Sequence, residues 1–223
     1  MKKQVFVMTF CLLPLLGFAQ EDPKKYIQLG FTGSPNIGWL RISDERTPGL
    51  ASDGPRAGFS YGVLADFGFA TNYYFSTAFT VTSINGKSNF TASNTGPASD
   101  AADFTYKIQY IEVPLTLKLK SNDTAPVRFY GQFGLGTGVR IGAKLDFTRR
   151  NADGMTTGSN VNISDEVNTL RFSLIAGGGT EWKIANDLSL LTGISLNSGF
   201  TNTLDGNDDV RNTYLALNLG IYF

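Results

Sequence analysis

Residues 212–223 read NTYLALNLGIYF, Asn212 to Phe223, and this stretch decides the fold. Thr213, Leu215, Leu217, Leu219, Ile221 and Phe223 share one phase and are mostly bulky and apolar. Asn212, Tyr214, Ala216, Asn218, Gly220 and Tyr222 share the other and are small, polar or amphipathic. A period of two over a whole segment is a β-strand with one apolar and one wet face. A soluble sheet seldom leaves so long a strand at an edge, because open edges invite aggregation. A closed barrel in lipid has no edge, and it requires this alternation.

Seven further segments alternate in the same way, at about 25–40, 58–69, 73–84, 104–120, 127–147, 169–184 and 188–200. The connections near 70–72, 121–126 and 185–187 are short. Those near 41–57, 85–103, 148–168 and 201–211 are long and rich in Gly, Ser, Asn, Thr and Asp. Eight strands with alternating connection lengths predict an all-β fold. The expected architecture is an antiparallel up-and-down transmembrane β-barrel with periplasmic termini, short periplasmic turns and long extracellular loops. Ile111, Val113, Leu115, Leu117 and Leu119 set one apolar phase, with Glu112, Thr116, Lys118 and Lys120 opposite. Upstream, Phe104, Tyr106, Ile108 and Tyr110 set the other phase. This reversal predicts a bulge or a change of environment above the bilayer. Pro114, lacking an N–H, belongs at a ladder irregularity.

The bulk properties fit a barrel and exclude other classes. Of 223 residues only 17% are charged, 13% are aromatic and 25 are glycine. The 19 basic and 19 acidic residues cancel, so no nucleic-acid partner is expected. Mean hydropathy is −0.07, and beyond the N-terminus no apolar run approaches the ~20 residues of a spanning helix. The N-terminus reads as an export signal over residues 1–19, leaving a barrel domain at 20–223. Lys2 and Lys3 precede an apolar run from Val5 to Leu16, and Gly17 and Ala19 are the small residues before a cleavage site at Gln20. The single cysteine, Cys11, lies inside that signal, so the mature chain carries no thiol or disulfide chemistry.

Charge decides which face meets lipid. Asp66, Glu112, Lys118, Arg128, Arg140, Lys144, Arg171, Glu181 and Lys183 all occupy the phase opposite the bulky residues. One Lys or Arg on the lipid face costs about 2–4 kcal/mol at the midplane. Several would exceed a typical folding stability of about 5–15 kcal/mol. These nine are therefore expected to form an interior charge network with opposite signs paired. An eight-stranded barrel is narrow enough for side chains to fill, so the interior should be plugged.

The strand Tyr110-Ile111-Glu112-Val113-Pro114-Leu115-Thr116-Leu117-Lys118-Leu119-Lys120, its short turn and the strand from Phe129 to Gly136 resemble the PorT family of outer-membrane β-barrel proteins. The resemblance extends over the mature chain and includes the C-terminal aromatic. It implies an outer-membrane location in a Gram-negative bacterium and, for some members, service in protein secretion. It brings no catalytic motif and no cofactor.

Histidine is absent, which removes Ser-His and Cys-His catalysis and His-bearing metal sites. Glu112 and Glu181 could form a carboxylate pair, but neutralising interior cations is the stronger reading. Asp205 to Asp209 resembles a calcium loop without the central glycine and distal glutamate. Asp123-Thr124-Ala125 resembles an O-glycan acceptor, and a plain polar turn is the stronger reading. Tyr73 and Trp182, beside short turns, fit an aromatic girdle, and Trp39, Tyr74 and Tyr222 also lie near strand ends. No enzyme activity, cofactor or metal is expected. The expected surroundings are outer-membrane lipid and lipopolysaccharide, with other envelope or secretion proteins as further partners. The leading role is a scaffold displaying surface loops. A soluble lipocalin-like carrier and a narrow channel are the alternatives.

Overall fold

The computed structural model describes residues 27–42, 50–91, 101–122, 126–151, 154–205 and 210–223. The export signal and Asp123-Thr124-Ala125 lie outside these residues, as does most of the Asp205 to Asp209 loop. Among the described residues nine strands form in chain order: β1 (Ile27–Ile42), β2 (Leu50–Ala70), β3 (Tyr73–Thr91), β4 (Ala101–Lys120), β5 (Val127–Asn151), β6 (Gly154–Asn162), β7 (Leu170–Ala185), β8 (Leu188–Gly199) and β9 (Val210–Tyr222). Eight of them close into a ring, each antiparallel to its neighbours, in the order β1-β2-β3-β4-β5-β7-β8-β9. The seam is the β1–β9 pair, running from Gly30 opposite Tyr222 to Ile42 opposite Val210. With that seam made, the ring leaves no strand edge to the hydrocarbon.

The outer surface is the apolar phase read from the sequence. Phe31, Leu115, Phe129, Phe133, Leu135 and Ile194 are each more than half exposed. Water would penalise such a surface, and acyl chains solvate it. Tyr73 and Trp182 stand on this surface beside the short turns. Trp182 donates its Nε1–H to Thr192 Oγ1 at 3.0 Å. Tyr74 and Tyr222, by contrast, point into the lumen and are buried. The tightest turn, Thr71-Asn72, uses Asn72 at φ 70°, where a side-chain amide tolerates the left-handed region.

The sequence reading and the structure differ in three places. The 148–168 connection is not all loop. It contains β6, which pairs with the upper part of β5 outside the ring, and a single 3₁₀ turn at Ser164–Glu166. The 41–57 and 85–103 connections are shortened likewise, because β2, β3 and β4 run on above the lipid belt. There Asn85, Lys87 and Asn89 are partly exposed, and the buried positions between them are the small Gly86 and Ser88, so β3 shows no bulky apolar alternation although it is paired.

The third difference concerns the phase reversal in β4. Tyr106, Ile108, Tyr110, Glu112, Thr116, Lys118 and Lys120 all face inward, so β4 itself never changes phase. What changes is the lumen, which is apolar at its loop end and charged at its turn end. A bulge does lie nearby, but on β5, where Ile141 is the extra residue between Arg140 opposite Tyr110 and Gly142 opposite Gln109. Pro114 sits where the β3–β4 ladder skips Val113 and Pro114 without changing register.

The lipid-facing assignment predicts the effect of a charge at mid-strand. Leu135→Arg should lower unfolding free energy in lipid vesicles by about 2–4 kcal/mol. Thr157→Arg on β6 should change it by no more than about 0.5 kcal/mol. Guanidinium titration of each refolded variant, followed by tryptophan fluorescence, measures both.

Candidate functional site

Two polar layers and one apolar layer fill the lumen. The layer nearest the short turns is built on Asp66 of β2, Lys118 and Lys120 of β4, and Glu181 of β7. Asp66 is fully buried and receives both cations, with Lys118 Nζ and Lys120 Nζ each 2.9 Å from Oδ2. Ser76 donates its hydroxyl to Asp66 Oδ1 at 2.5 Å. The Tyr222 hydroxyl accepts from Lys118 at 2.9 Å and donates to Asp66 Oδ2 at 3.1 Å. Lys120 Nζ also lies 2.7 Å from Glu181 Oε1 and donates to Gln28 Oε1 at 2.6 Å. The Glu181 contact is an ion pair without hydrogen-bond alignment, since Oε1 has no aligned donor. Tyr74, Tyr130 and Tyr222 present ring faces to the two ammoniums at 4.3–5.4 Å. Two ammoniums meet two carboxylates, so the layer is neutral as a whole.

The second layer lies toward the loops. Arg171 of β7 uses each guanidinium nitrogen once. Nη1 donates to Glu112 Oε1 at 2.8 Å, Nε to Asn212 Oδ1 at 2.6 Å and Nη2 to Asn197 Oδ1 at 2.8 Å. The Tyr214 hydroxyl donates to Glu112 Oε2 at 2.7 Å and accepts from Asn197 Nδ2 at 2.9 Å. One buried guanidinium thereby ties β4, β7, β8 and β9 together. Gly138 passes beside this layer, and a Cβ there would stand 3.3 Å from Glu112 Cγ. Similarly, a Cβ at Gly193 would run into the Tyr130 hydroxyl. These glycines make room for large side chains in a narrow ring.

Between the layers is a cavity of about 110 Å³ lined by hydroxyls and amides, such as those of Thr32, Thr82, Gln132 and Asn218, and by apolar side chains such as Leu64, Ile175 and Leu191. It has space and partners for a few ordered waters. Above the second layer, Leu40, Ile84, Tyr106, Ile108, Ala143 and Val210 pack with Ile163 and Val167 of the segment after β6. Asn168 fixes that segment, donating through Nδ2 to the carbonyls of Asn202 and Leu204.

Of the nine charges expected inside, Asp66, Lys118 and Glu181 come together in the first layer, and Glu112 and Arg171 in the second. Arg128 and Lys183 instead line a wide mouth of about 790 Å³ at the turn end. Arg128 there donates to the Ser121 carbonyl at 3.2 Å, and Lys183 is exposed. Arg140 is half-buried near Thr169, 3.5 Å from its hydroxyl. Lys144 corrects the expectation outright. The extra residue at Ile141 turns the upper part of β5 over, so Ala143 points inward and Lys144 outward into solvent. Lys120 is the central cation that the charge list lacked, although its place on the Glu112–Lys118 phase marked it. Glu112 and Glu181 fall in different layers, each beside a cation, and do not form a carboxylate pair. Among the described residues no cluster of metal-ligating side chains occurs.

A model of the outer membrane protein beta-barrel domain matches residues 18–205. The chain belongs to that family. It is an integral protein of the bacterial outer membrane and sits among outer-membrane lipid and lipopolysaccharide. The family's short turns face the periplasm, so the first layer lies at the periplasmic end and the apolar layer at the extracellular end. Among solved structures this outer-membrane barrel is similar to Ail, the attachment invasion locus protein of Yersinia pestis, at 14% identity over 90% of this chain and 100% of Ail, with a TM-score of 0.41. It is also similar to OprG of Pseudomonas aeruginosa, at 11% identity over 88% of this chain and 93% of OprG, TM-score 0.44. A third is Neisserial surface protein A, at 13% identity over 86% of this chain and 95% of that one, TM-score 0.38. None of the curated proteins matches the sequence.

The first layer predicts a steep asymmetry between charge removals. Asp66→Ala leaves two buried ammoniums sharing one carboxylate and should cost about 3–5 kcal/mol. Lys183→Ala, at the open mouth, should stay within about 0.5 kcal/mol. Unfolding titrations in the same vesicles compare them.

Above the membrane, Lys107 Nζ lies 2.5 Å from Asp146. This contact first, and the Asn160 N–H second, hold the Asp146 carboxyl below the usual carboxylate range. A lowered value stabilises the fold above the unfolded carboxylate pKa of about 3.9 and loses that contribution as pH falls through the folded value. A carboxyl NMR titration should show the depression in the native protein and a smaller one in Lys107→Met, where the Asn160 N–H still donates.

Proposed function

We propose that this barrel is a filled membrane anchor that displays a raised β-sheet and surface loops to the cell exterior, and that it does not conduct solutes. The observation that carries this reading is the lumen itself. Two matched charge layers and an apolar cap block the axis in succession, whereas strands β2 to β6 rise well past the ring. The interior charges act as struts between strands. All but Glu181, which meets Lys120 alone among the described residues, are held by two or more partners, as a structural ion pair must be to offset its desolvation. An exterior that is apolar over the whole belt and an interior that is charged are the reverse of what a soluble ligand carrier needs.

A link to protein secretion is the second reading, and the Tyr110 to Lys120 strand with its PorT-like pattern supports it. In that case the contacts would be made to other envelope proteins at the periplasmic mouth, where Arg128, Lys183 and Asp187 are presented.

Planar-bilayer recording tests the first reading. The refolded protein should give no sustained conductance, and stable open channels would overturn the filled-anchor reading. Deletion of the gene with comparison of the secreted proteome tests the second. An unchanged secretome removes it.

A further inference from the structure

The raised sheet has two free edges, and only one is blunted. Above the ring the pairing order is β2-β3-β4-β5-β6, so residues 50–55 of β2 and all of β6 have no neighbour on one side among the described residues. Such an edge is a row of unpaired N–H and C=O groups, which proteins usually protect with charge, proline or irregularity. Residues 50–55 carry all three. Asp53 is paired with Lys87, Gly54 has φ +84°, Pro55 lacks an N–H, and the register shifts on both sides of Pro55. By contrast, β6 has neither proline nor a charged residue in Gly154–Asn162, and all of it but Gly158 is exposed. Its run from Gly154 to Gly158 is in regular register with Phe147 to Asn151. Gly154, where the strand begins, has φ +138°; the register shift between Leu145 and Phe147 and Asn160 at φ 53° lie beyond the run, and the Asn160 N–H donates to Asp146 Oδ1 at 2.7 Å.

We infer that the free edge of β6 over Gly154–Gly158 is a docking site for an extended, acidic polypeptide segment from outside the cell, added as a further strand. This rests on the display reading above and gives it a site and a partner chemistry. The sign of the partner follows from β5. Arg150 and Arg149 are opposite Met155 and Thr156, exposed, and without a carboxylate partner among the described residues. Being adjacent in a strand, they project from opposite faces of the hairpin. An added strand lies two strand spacings away, roughly 10 Å. Long arginines on either face thus favour acidic side chains on both faces of the newcomer. A second copy fits less well. Two copies in one membrane share an orientation, so their β6 strands run the same way and cannot form the antiparallel pair. Their arginines would also be brought together.

The test uses the whole mature barrel folded in uncharged detergent and short fluorescein-labelled peptides. One peptide alternates threonine and glutamate, one alternates threonine and lysine, and one is the acidic peptide N-methylated at alternate amides. Fluorescence anisotropy should detect binding of the acidic peptide alone. The binding should weaken from about 0.01 M to about 1 M salt, as the screening length falls from about 30 Å to about 3 Å. N-methylation should weaken it about tenfold, the loss of one or two net hydrogen bonds. Adjacent residues direct their N–H groups to opposite edges, so one of Thr156→Pro and Thr157→Pro removes only a free-edge donor. That variant should keep heat-modifiable gel mobility and lose the peptide. Arg149→Glu with Arg150→Glu should transfer binding to the lysine peptide. Absence of acidic-peptide binding, or binding indifferent to N-methylation, overturns the proposal. So does a concentration-dependent dimer in sedimentation that the same proline variant abolishes, which would assign the edge to a second copy. Non-conductance with no peptide binding defeats the edge and leaves the display reading standing. Channel conductance defeats the display reading itself.

Discussion

Hydrocarbon solvates neither a peptide N–H nor an ammonium, and every large feature of this molecule answers to that. The ring must close, so β9 returns to β1 and the seam is made along most of both strands. Side chains must sort by phase, so the bulky residues turn out and the charges turn in. The interior then holds charges far from water, and they must be matched there. The ring and the charge layers are consequences of one solvent constraint acting on backbone and side chains in turn.

The matching is uneven along the axis, and the unevenness is informative. At the periplasmic end, Asp66 is a shared acceptor for two lysines, a serine and a tyrosine, so β2, β3, β4 and β9 meet at one carboxylate. Farther out, Arg171 is a shared donor to Glu112, Asn197 and Asn212. A buried ion pair adds little net stability against an apolar alternative, but stranding one member is expensive. Such layers therefore fix which strands sit side by side more than they deepen the fold. Near the extracellular rim the lumen becomes apolar, and the chain after β6 folds over it with Ile163 and Val167 buried.

Much of this was legible in the sequence, because lipid imposes a contrast that alternation records faithfully. Within the belt, strand phase could be read residue by residue, as in β9 and in Leu115 to Lys120. Legibility stopped where the solvent changed. In β3 beyond Ile84 the buried face is only Gly86 and Ser88, and throughout β6 nearly every residue is exposed, so no bulky apolar phase is required and paired strands look like polar loops. The inward turn of Tyr106, Ile108 and Tyr110 resembled a register fault because alternation reports polarity, not direction. Lys144 was placed on the wrong side by a single extra residue at Ile141, which has no signature of its own. The partition of the charges into two layers, with Arg128 and Lys183 left at the mouth, depends on axial height. A pattern of period two carries no such coordinate.

Tyr222 joins the closure of the ring to the matching of its charges. The strand that makes the seam with β1 also carries the hydroxyl standing between Lys118 and Asp66, on strands far away in the chain. Opening the seam would therefore expose backbone edges and remove a partner from the buried carboxylate at once. Backbone closure and side-chain neutrality are coupled through one residue.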